Sequence, residues 1–429
     1  MIFALILFII TYVLMLIFDK YRPYIAIGSA LIFILSGMLP FKAIPESTNI
    51  PADLNVLLMI AGTMGLVALF TESKMPDLLA DIIIEKVTNV KWAIVALSLF
   101  AGVISAFVDN VSTVLMIAPV ALLIAKKLKI NPVPIIISIA VSSNLQGAAT
   151  LVGDTTAIML GSYANMNFMN FFWYKGKPSI FFAVELGALL SAAILLIMFR
   201  KETATLPKQE RTKVKDYIPT CLLCGAVVLL IVASFVPIEF PETINGIICC
   251  SMFVVGIIYT LIKRKGEAKQ VLIGAFKEID FNTIGLLFGL FLVIAGINNM
   301  GVIEKIAELL SSVGGNSVFL IYTVIVWGSV LFSAFIDNIP YVATMLPVIQ
   351  GLALKLGIDP TVLYFGLLSG ATLGGNLTPI GASANITGIN ILKKEGFTVK
   401  NSDFFKIGIP FTLAAIIPAY IYTWLVYGI

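Results

Sequence analysis

A carboxylate and an amide stand side by side in apolar sequence twice in this chain, a fixed distance apart. Ser105-Ala-Phe-Val-Asp109-Asn110 is followed by Pro119-Val120, and Ser333-Ala-Phe-Ile-Asp337-Asn338 by Pro347-Val348. The offset is 228 residues (109 to 337), and it carries Gly147, Thr150 and Gly153 onto Gly375, Thr378 and Gly381. Carboxylate and amide oxygens are hard ligands that suit a small cation, and a carboxylate also accepts a proton. A carboxylate at bilayer depth costs ~2.5–3.5 kcal/mol even on lenient scales, so its repeated occurrence there argues for a duplicated ion site.

The later segment of each copy supplies more polar groups. The first has Ser142-Ser143-Asn144, Thr150 and Asp154-Thr155-Thr156; the second has Thr372, Asn376, Thr378-Pro379, Ser383 and Asn385. Glycines and Thr378-Pro379 interrupt helices and free backbone carbonyls and amides for ligation. Half-helix N-termini add partial positive charge that suits an anion. The candidate ion- or substrate-binding set is therefore Asp109, Asn110, Ser143, Asn144, Thr150, Asp154, Thr155, Asp337, Asn338, Asn376, Thr378, Ser383 and Asn385. Asp109, Asn110, Asp337 and Asn338 are the candidate sodium ligands.

A plainer reading competes at each position. Asp109 and Asp337 can be helix N-caps, and Pro340 fits the first turn that follows such a cap. Asn144, Asn376 and Asn385 can cap helix breaks. Asp154 has no acid at its counterpart, Ala382, and Glu185 reads as interfacial. The broken segments contain no Arg or Lys, so the interior reads as net acidic, which favours a cation or proton as one moving species.

These residues need a membrane scaffold to position them. Hydrophobic residues make up 59% of the chain and charged residues 12%, and mean hydropathy is +1.02. That balance excludes an ordinary soluble domain. Full spans are expected near 2–18, 24–40, 54–72, 135–164, 180–199, 217–236, 243–262, 281–298, 361–392 and 407–427. Residues 2–18 read as a first span rather than a leader. Segments 92–125 and 317–350 are too long for one span, and each is interrupted by Asp-Asn.

Loop charge resolves them. Basic clusters at Lys20/Arg22, Lys126–Lys129, Arg200–Lys215, Lys263–Lys265 and Lys393/Lys394 are assigned to the cytoplasm, and the acidic 237–242 loop to the outside. Segment 92–125 must then enter and leave on one side, and 317–350 on the other. The expected fold is an all-α polytopic membrane protein of two inverted-topology repeats, each with five transmembrane helices and one re-entrant hairpin. The first repeat is 1–200 (hairpin 92–125, broken helix 135–164), 201–216 is a cytoplasmic linker, and the second is 217–429 (hairpin 317–350, broken helix 361–392). Both termini are expected outside, in the cytoplasmic membrane of a prokaryote. Pro76–Glu85 and Val302–Leu310 read as surface helices. Cys221, Cys224, Cys249 and Cys250 read as small apolar helix residues, since a zinc or redox site would want histidines or a second ligand pair, and the chain has no His.

Phe335-Ile-Asp337-Asn338-Ile-Pro340 with Met345-Leu-Pro347, and Leu373-Gly-Gly-Asn376-Leu-Thr-Pro-Ile-Gly381-Ala-Ser-Ala-Asn385, resemble the ion transporter superfamily. The branch they are most similar to holds arsenite permeases, sodium/proton antiporter D and the melanocyte P protein. Divalent-anion/sodium symporters and citrate transporters are related to it. The likeness runs through both repeats and includes Gly153-Asp154. It implies a scaffold, a moving transport domain of hairpins and broken helices, sodium sites where each tip meets its broken helix, and a homodimer. The symporters carry Ser-Asn-Thr at the tips; Asp-Asn here is a departure that points away from a citrate or dicarboxylate substrate. Without His, the histidine pH sensing of some antiporters does not carry over.

The expected function is secondary active transport of a small anion or oxyacid coupled to sodium or protons; the alternative is a sodium/proton antiporter. No organic cofactor is expected; the partners are the bilayer and a small ion, with no nucleic acid. An enzyme is disfavoured because H-E-x-x-H is absent, and a primary pump because there is no P-loop. A channel is disfavoured for want of a polar ring.

Overall fold

The computed structural model describes residues 1–206, 211–237, 242–264, 266–314 and 317–429. Most of the acidic 237–242 loop, and Lys208 and Lys265 of the basic clusters, lie outside the described residues. The first half contains α1 (Ile2–Ile17), α2 (Arg22–Leu35), α3 (Ile44–Ser47), α4 (Ile50–Glu72), α5 (Met75–Lys86), α6 (Val90–Ser105), α7 (Asn110–Leu128), α8 (Val133–Gln146), α9 (Thr155–Tyr163) and α10 (Ile180–Met198). The second contains α11 (Ile218–Ala233), α12 (Ile244–Lys263), α13 (Ala268–Glu278), α14 (Phe281–Asn299), α15 (Val302–Gly314), α16 (Val318–Ser333), α17 (Asn338–Leu356), α18 (Thr361–Gly374), α19 (Ser383–Lys394) and α20 (Asn401–Tyr427). One short β-hairpin pairs β1 (Trp173–Tyr174) with β2 (Lys177–Pro178).

Helix is what an apolar chain must adopt in lipid, because every backbone donor and acceptor needs an internal partner. Proline sits in the first turn of α2, α4, α5, α8 and α11, where its missing N–H costs nothing. The expected spans 135–164 and 361–392 are each two helices with an irregular break, at 147–154 and 375–382. The surface helices appear as α5 and α15. Two elements differ from expectation. The span expected over 24–40 starts earlier and stops at Leu35, and α13, rich in Lys and Glu at its ends, precedes the span at 281–298.

Contacts between loops define two faces. Residues Val90 and Lys91 bond to the backbone of Ala204 and Glu202, Arg211 pairs with Glu85, and Lys215 and Arg264 both reach Glu72. Lys126 pairs with Glu395 just before α20. At the other end of α20, Tyr422 and Tyr427 bond to the carbonyls of Pro178 and Tyr174, and Lys175 pairs with Asp359. α10 and α20 run antiparallel between these faces, with Ser191 donating to the Phe411 carbonyl at 3.0 Å.

Both ends of the α6–α7 pair therefore lie on the basic face. Both ends of α16–α17 lie on the opposite face, where Tyr322 and Thr323 meet Tyr420 near the end of α20. By length and composition α7 and α17 are among seven helices able to cross a membrane among the described residues. Their contacts make each the second arm of a re-entrant hairpin. The inversion is visible in packing as well: α4 lies on α12 and α14 on α2. A Cβ on Gly62 would come within 2.5 Å of the Cys249 carbonyl carbon, and one on Gly289 within 2.7 Å of the Ala26 carbonyl carbon.

Candidate functional site

The two hairpin turns meet the two helix breaks in the middle of the molecule. Asp109 and Asp337 both cap the second arm, as the plainer reading of the sequence holds. Asp109 Oδ1 accepts from the Ser112 amide at 2.9 Å, and Asp337 Oδ1 from the Ile339 amide at 3.1 Å. Capping uses one oxygen of each carboxylate and leaves the other to differ.

Each turn is tied to its break by the same two devices. Thr150 donates its hydroxyl to the Ala106 carbonyl and Thr378 to the Ala334 carbonyl. Gly153 and Gly381 then let the backbones touch. A Cβ on Gly153 would lie 2.6 Å from the Gly147 carbonyl oxygen and 2.8 Å from that of Ser105. On Gly381 it would lie 2.6 Å from the Gly375 oxygen and 2.8 Å from that of Ser333. Carbonyl oxygens of turn and break thus close directly onto each glycine, with no room for a side chain between them.

A hydrogen-bonded chain joins the halves. At the first tip, Ser105 Oγ donates to Asn110 Oδ1, and Ser143 Oγ to Ser105 Oγ and the Asn110 carbonyl, all at 3.1 Å. Asn110 Nδ2 donates to Asn144 Oδ1 at 3.0 Å. Asn144 Nδ2 crosses to the second half, to the Thr372 carbonyl at 2.7 Å and Asn376 Oδ1 at 3.1 Å. Asn376 Nδ2 crosses back to the Val141 carbonyl at 2.8 Å. Thr372 and Thr156 share a bond of 3.1 Å, Thr156 donates to Asp154 Oδ2 at 2.7 Å, and Asn338 Nδ2 reaches the same oxygen at 3.3 Å. The route thus ends at the tip of the second hairpin. These side chains are buried, with Asn144, Thr372 and Asn376 fully so.

Most of the sequence candidates enter this assembly. Asp154 caps α9 through the Thr155 amide at 2.8 Å, with Thr155 buried beside it. Asn385 Nδ2 donates to the carbonyls of Gly375 (3.0 Å) and Thr378 (3.1 Å), bracing the second break. Its Oδ1 is buried without a hydrogen-bond partner among the described residues, as is Asp109 Oδ2. Ser383 is the exception: it is exposed at the start of α19, whose N-cap Ala382 offers no side-chain bond.

Two expectations change. Arg22, expected among the cytoplasmic loop cations, lies at the second tip with Nη1 3.0 Å from Asp337 Oδ2. Glu185 lies about one and a half turns into α10, half-buried, with Gln146 Nε2 at 3.5 Å. Tyr12 was hidden in an apolar span, yet its hydroxyl donates to the Pro340 carbonyl at 2.6 Å and meets the Thr344 hydroxyl. Pro23 following Arg22 marks a helix start, but no pattern in the sequence says that this helix meets a turn 315 residues away.

Paired re-entrant tips meeting broken helices across an inverted repeat define a polytopic membrane transporter. The chain belongs to the citrate transporter family, whose profile matches residues 5–261 and 247–429. A 46 kDa membrane protein of Mycobacterium leprae is 30% identical over 435 residues, covering 99% of this chain and 98% of the relative. The human P protein is 26% identical over 435 residues, covering 83% of this chain and 52% of its own length. The solved YdaH transporter of Alcanivorax borkumensis, described as having an unusual topology, superimposes with a TM-score of 0.61 at 12% identity, over 90% of this chain and 88% of that one. That last likeness is one of fold. The superfamily and the P-protein kinship read from the motifs are borne out.

Proposed function

We propose that this transporter moves a small anion or oxyacid, coupled to sodium or protons, by alternating access of a body made from the two hairpins and broken helices. The observation that carries the reading is the buried polar chain from Asn110 to Asn338, which passes through an acid, Asp154, that has no counterpart in the second half. A buried carboxylate is tolerated when a cation or proton neutralises it. The coupling ion is assigned to the first tip, with Asp109, Asn110, Ser143 and Thr150, and to the second, with Asp337, Asn338, Thr378 and Asn385. Asp154, beside Thr155 and bonded to Asn338, connects loading at one tip to the other.

The anion is assigned to the uncapped start of α19, where Ser383 and the first amides offer donors without an acid. The family description makes citrate the first substrate to try, although aspartates occupy both tips. A sodium/proton antiporter is the second reading. It is favoured by Asp109 Oδ2, a buried carboxylate oxygen with no partner among the described residues. A homodimer in a prokaryotic cytoplasmic membrane, with both termini outside, completes the proposal. Flux in proteoliposomes separates the two readings. Anion-dependent movement of sodium or protons is the expected result, and equal cation exchange with no transportable anion present would replace the first reading by the second.

A further inference from the structure

The flanks of the two tips are related by the repeat but are not in the same state. Beside the first, α7, α4 and α13 enclose a cleft of about 400 Å³ lined by Ala68, Glu72, Ser112 and Leu115. Glu72 is held by Lys215 and Arg264, so the cleft meets the basic face. Beside the second, a space of about 40 Å³ is lined by Ala295 and Ala343 together with Ala52 and Asp53 of α4 and Met159 of α9. Ala295 is Ala68 shifted by 227 residues, and Ala343 is Leu115 shifted by 228. Leu115 is 43% exposed and its counterpart Ala343 5%, so the first flank is the more open.

The closed flank carries contacts from α1 and α2 that have no counterpart at the open one among the described residues. Pro340 corresponds to Ser112, and its carbonyl accepts from Tyr12 of α1 at 2.6 Å. Tyr12 also meets Thr344, and Arg22 of α2 holds Asp337 at 3.0 Å while its Nε bonds to the Met15 carbonyl at 3.1 Å. Asp109 Oδ2 has no such partner among the described residues. α1 and α2 pack with α14, outside the hairpins and broken helices, so these contacts cross from the frame to the tip.

We propose that Arg22 is a resident counter-ion that latches the second tip shut. It occupies Asp337 while the flank beside the first tip is open, and Asp337 becomes available to an external cation only when α1 and α2 let go. The two sequence-identical acids then differ in state: Asp109 Oδ2 has no counter-ion among the described residues, while Asp337 is reserved. The inference rests on the alternating-access reading above. It adds the residue that decides which acid is free. A guanidinium suits the task, since it stays charged at any physiological pH and its fork geometry fits a carboxylate.

The test uses the full chain with its four cysteines replaced by serine and one reporter cysteine, Leu115→Cys on the open flank or Ala343→Cys on the closed flank, in nanodiscs. The readout is the rate of modification by a charged thiol reagent. Leu115→Cys is expected to react faster than Ala343→Cys. Arg22→Gln should raise the Ala343→Cys rate by about tenfold and slow Leu115→Cys, as expected for a shift between two states. Asp337→Asn should reproduce that pattern, and the exchanged pair Arg22→Asp with Asp337→Arg should restore protection. Arg22→Lys, which keeps the charge without the fork, should fall between. An unchanged Ala343→Cys rate in Arg22→Gln overturns the latch. So does a rise at both reporters together, which marks a loosened fold, or an exchanged pair that stays unprotected. Labelling needs no substrate, so reciprocal shifts in a protein that moves no anion would keep the latch and reject the transport reading.

Discussion

The two hairpin tips share a motif, a turn and a cap, yet differ in what their second carboxylate oxygen meets. Asp109 Oδ2 is buried with no partner among the described residues, and Asp337 Oδ2 faces Arg22. Their amides differ in the same way: Asn110 donates to the neutral Asn144, Asn338 to the acid Asp154. The threonine clamps and the glycine contacts, by contrast, are the same in both halves. The duplicated residues are what the two tips share, and the unduplicated ones, Asp154 and Arg22, are what sets them apart.

The largest effect is expected where the halves differ. Asp154→Asn should lower coupled uptake by about a hundredfold, ~2.7 kcal/mol, with expression and melting temperature retained. Ala382→Asp, placing the acid in the wrong half, should not rescue it. Equal uptake by Asp154→Asn would reduce this residue to the α9 cap. Next come the shared contacts. Gly153→Ala and Gly381→Ala each force a methyl against carbonyl oxygens and should destabilise by ~1–3 kcal/mol. Thermal unfolding in detergent should give similar shifts for the two, and a large shift in one alone would break the symmetry argument.

Smaller still, Thr150→Val and Thr378→Val keep the shape but leave the Ala106 and Ala334 carbonyls unpaired, at ~1 kcal/mol each. Matching losses sharpen the comparison; unmatched ones locate the tip under more load. The smallest effect lies outside both tips. Arg211 beside Glu85 holds that carboxyl below the ordinary glutamate value. The favourable contribution of this pair is present above the ordinary value and is lost as pH falls through the lowered one. Being fully exposed, it is screened by salt. Glu85→Gln should leave both melting temperature and flux unchanged at neutral pH.

Much of this was legible in the residues. Apolar runs of near-spanning length, interrupted by Asp-Asn, imply hairpins, and the basic loops fix from which face each enters. Gly153 and Gly381 at one offset imply matched breaks, because a backbone that must touch another cannot carry a Cβ. The cross-links were not legible. Asn144 to Asn376 and Asn338 to Asp154 span 232 and 184 residues, and hydrogen bonds leave no periodicity in sequence. Ser383 shows the converse. Its place beside the Gly381 motif suggests a member of the buried polar chain, but its side chain is exposed at the start of α19 while Ala384 and Asn385 after it are buried. Arg22 was read by its charge alone, as one more loop cation, when its position at the start of α2 aims it at Asp337.

The most direct measurement is uptake of labelled citrate, and of other small anions, into proteoliposomes under an imposed inward sodium or proton gradient. The account predicts gradient-driven accumulation by the native chain and its loss in Asp154→Asn. Dissipation of a sodium gradient against protons at the same rate with no anion present, or accumulation that persists in Asp154→Asn, would contradict it.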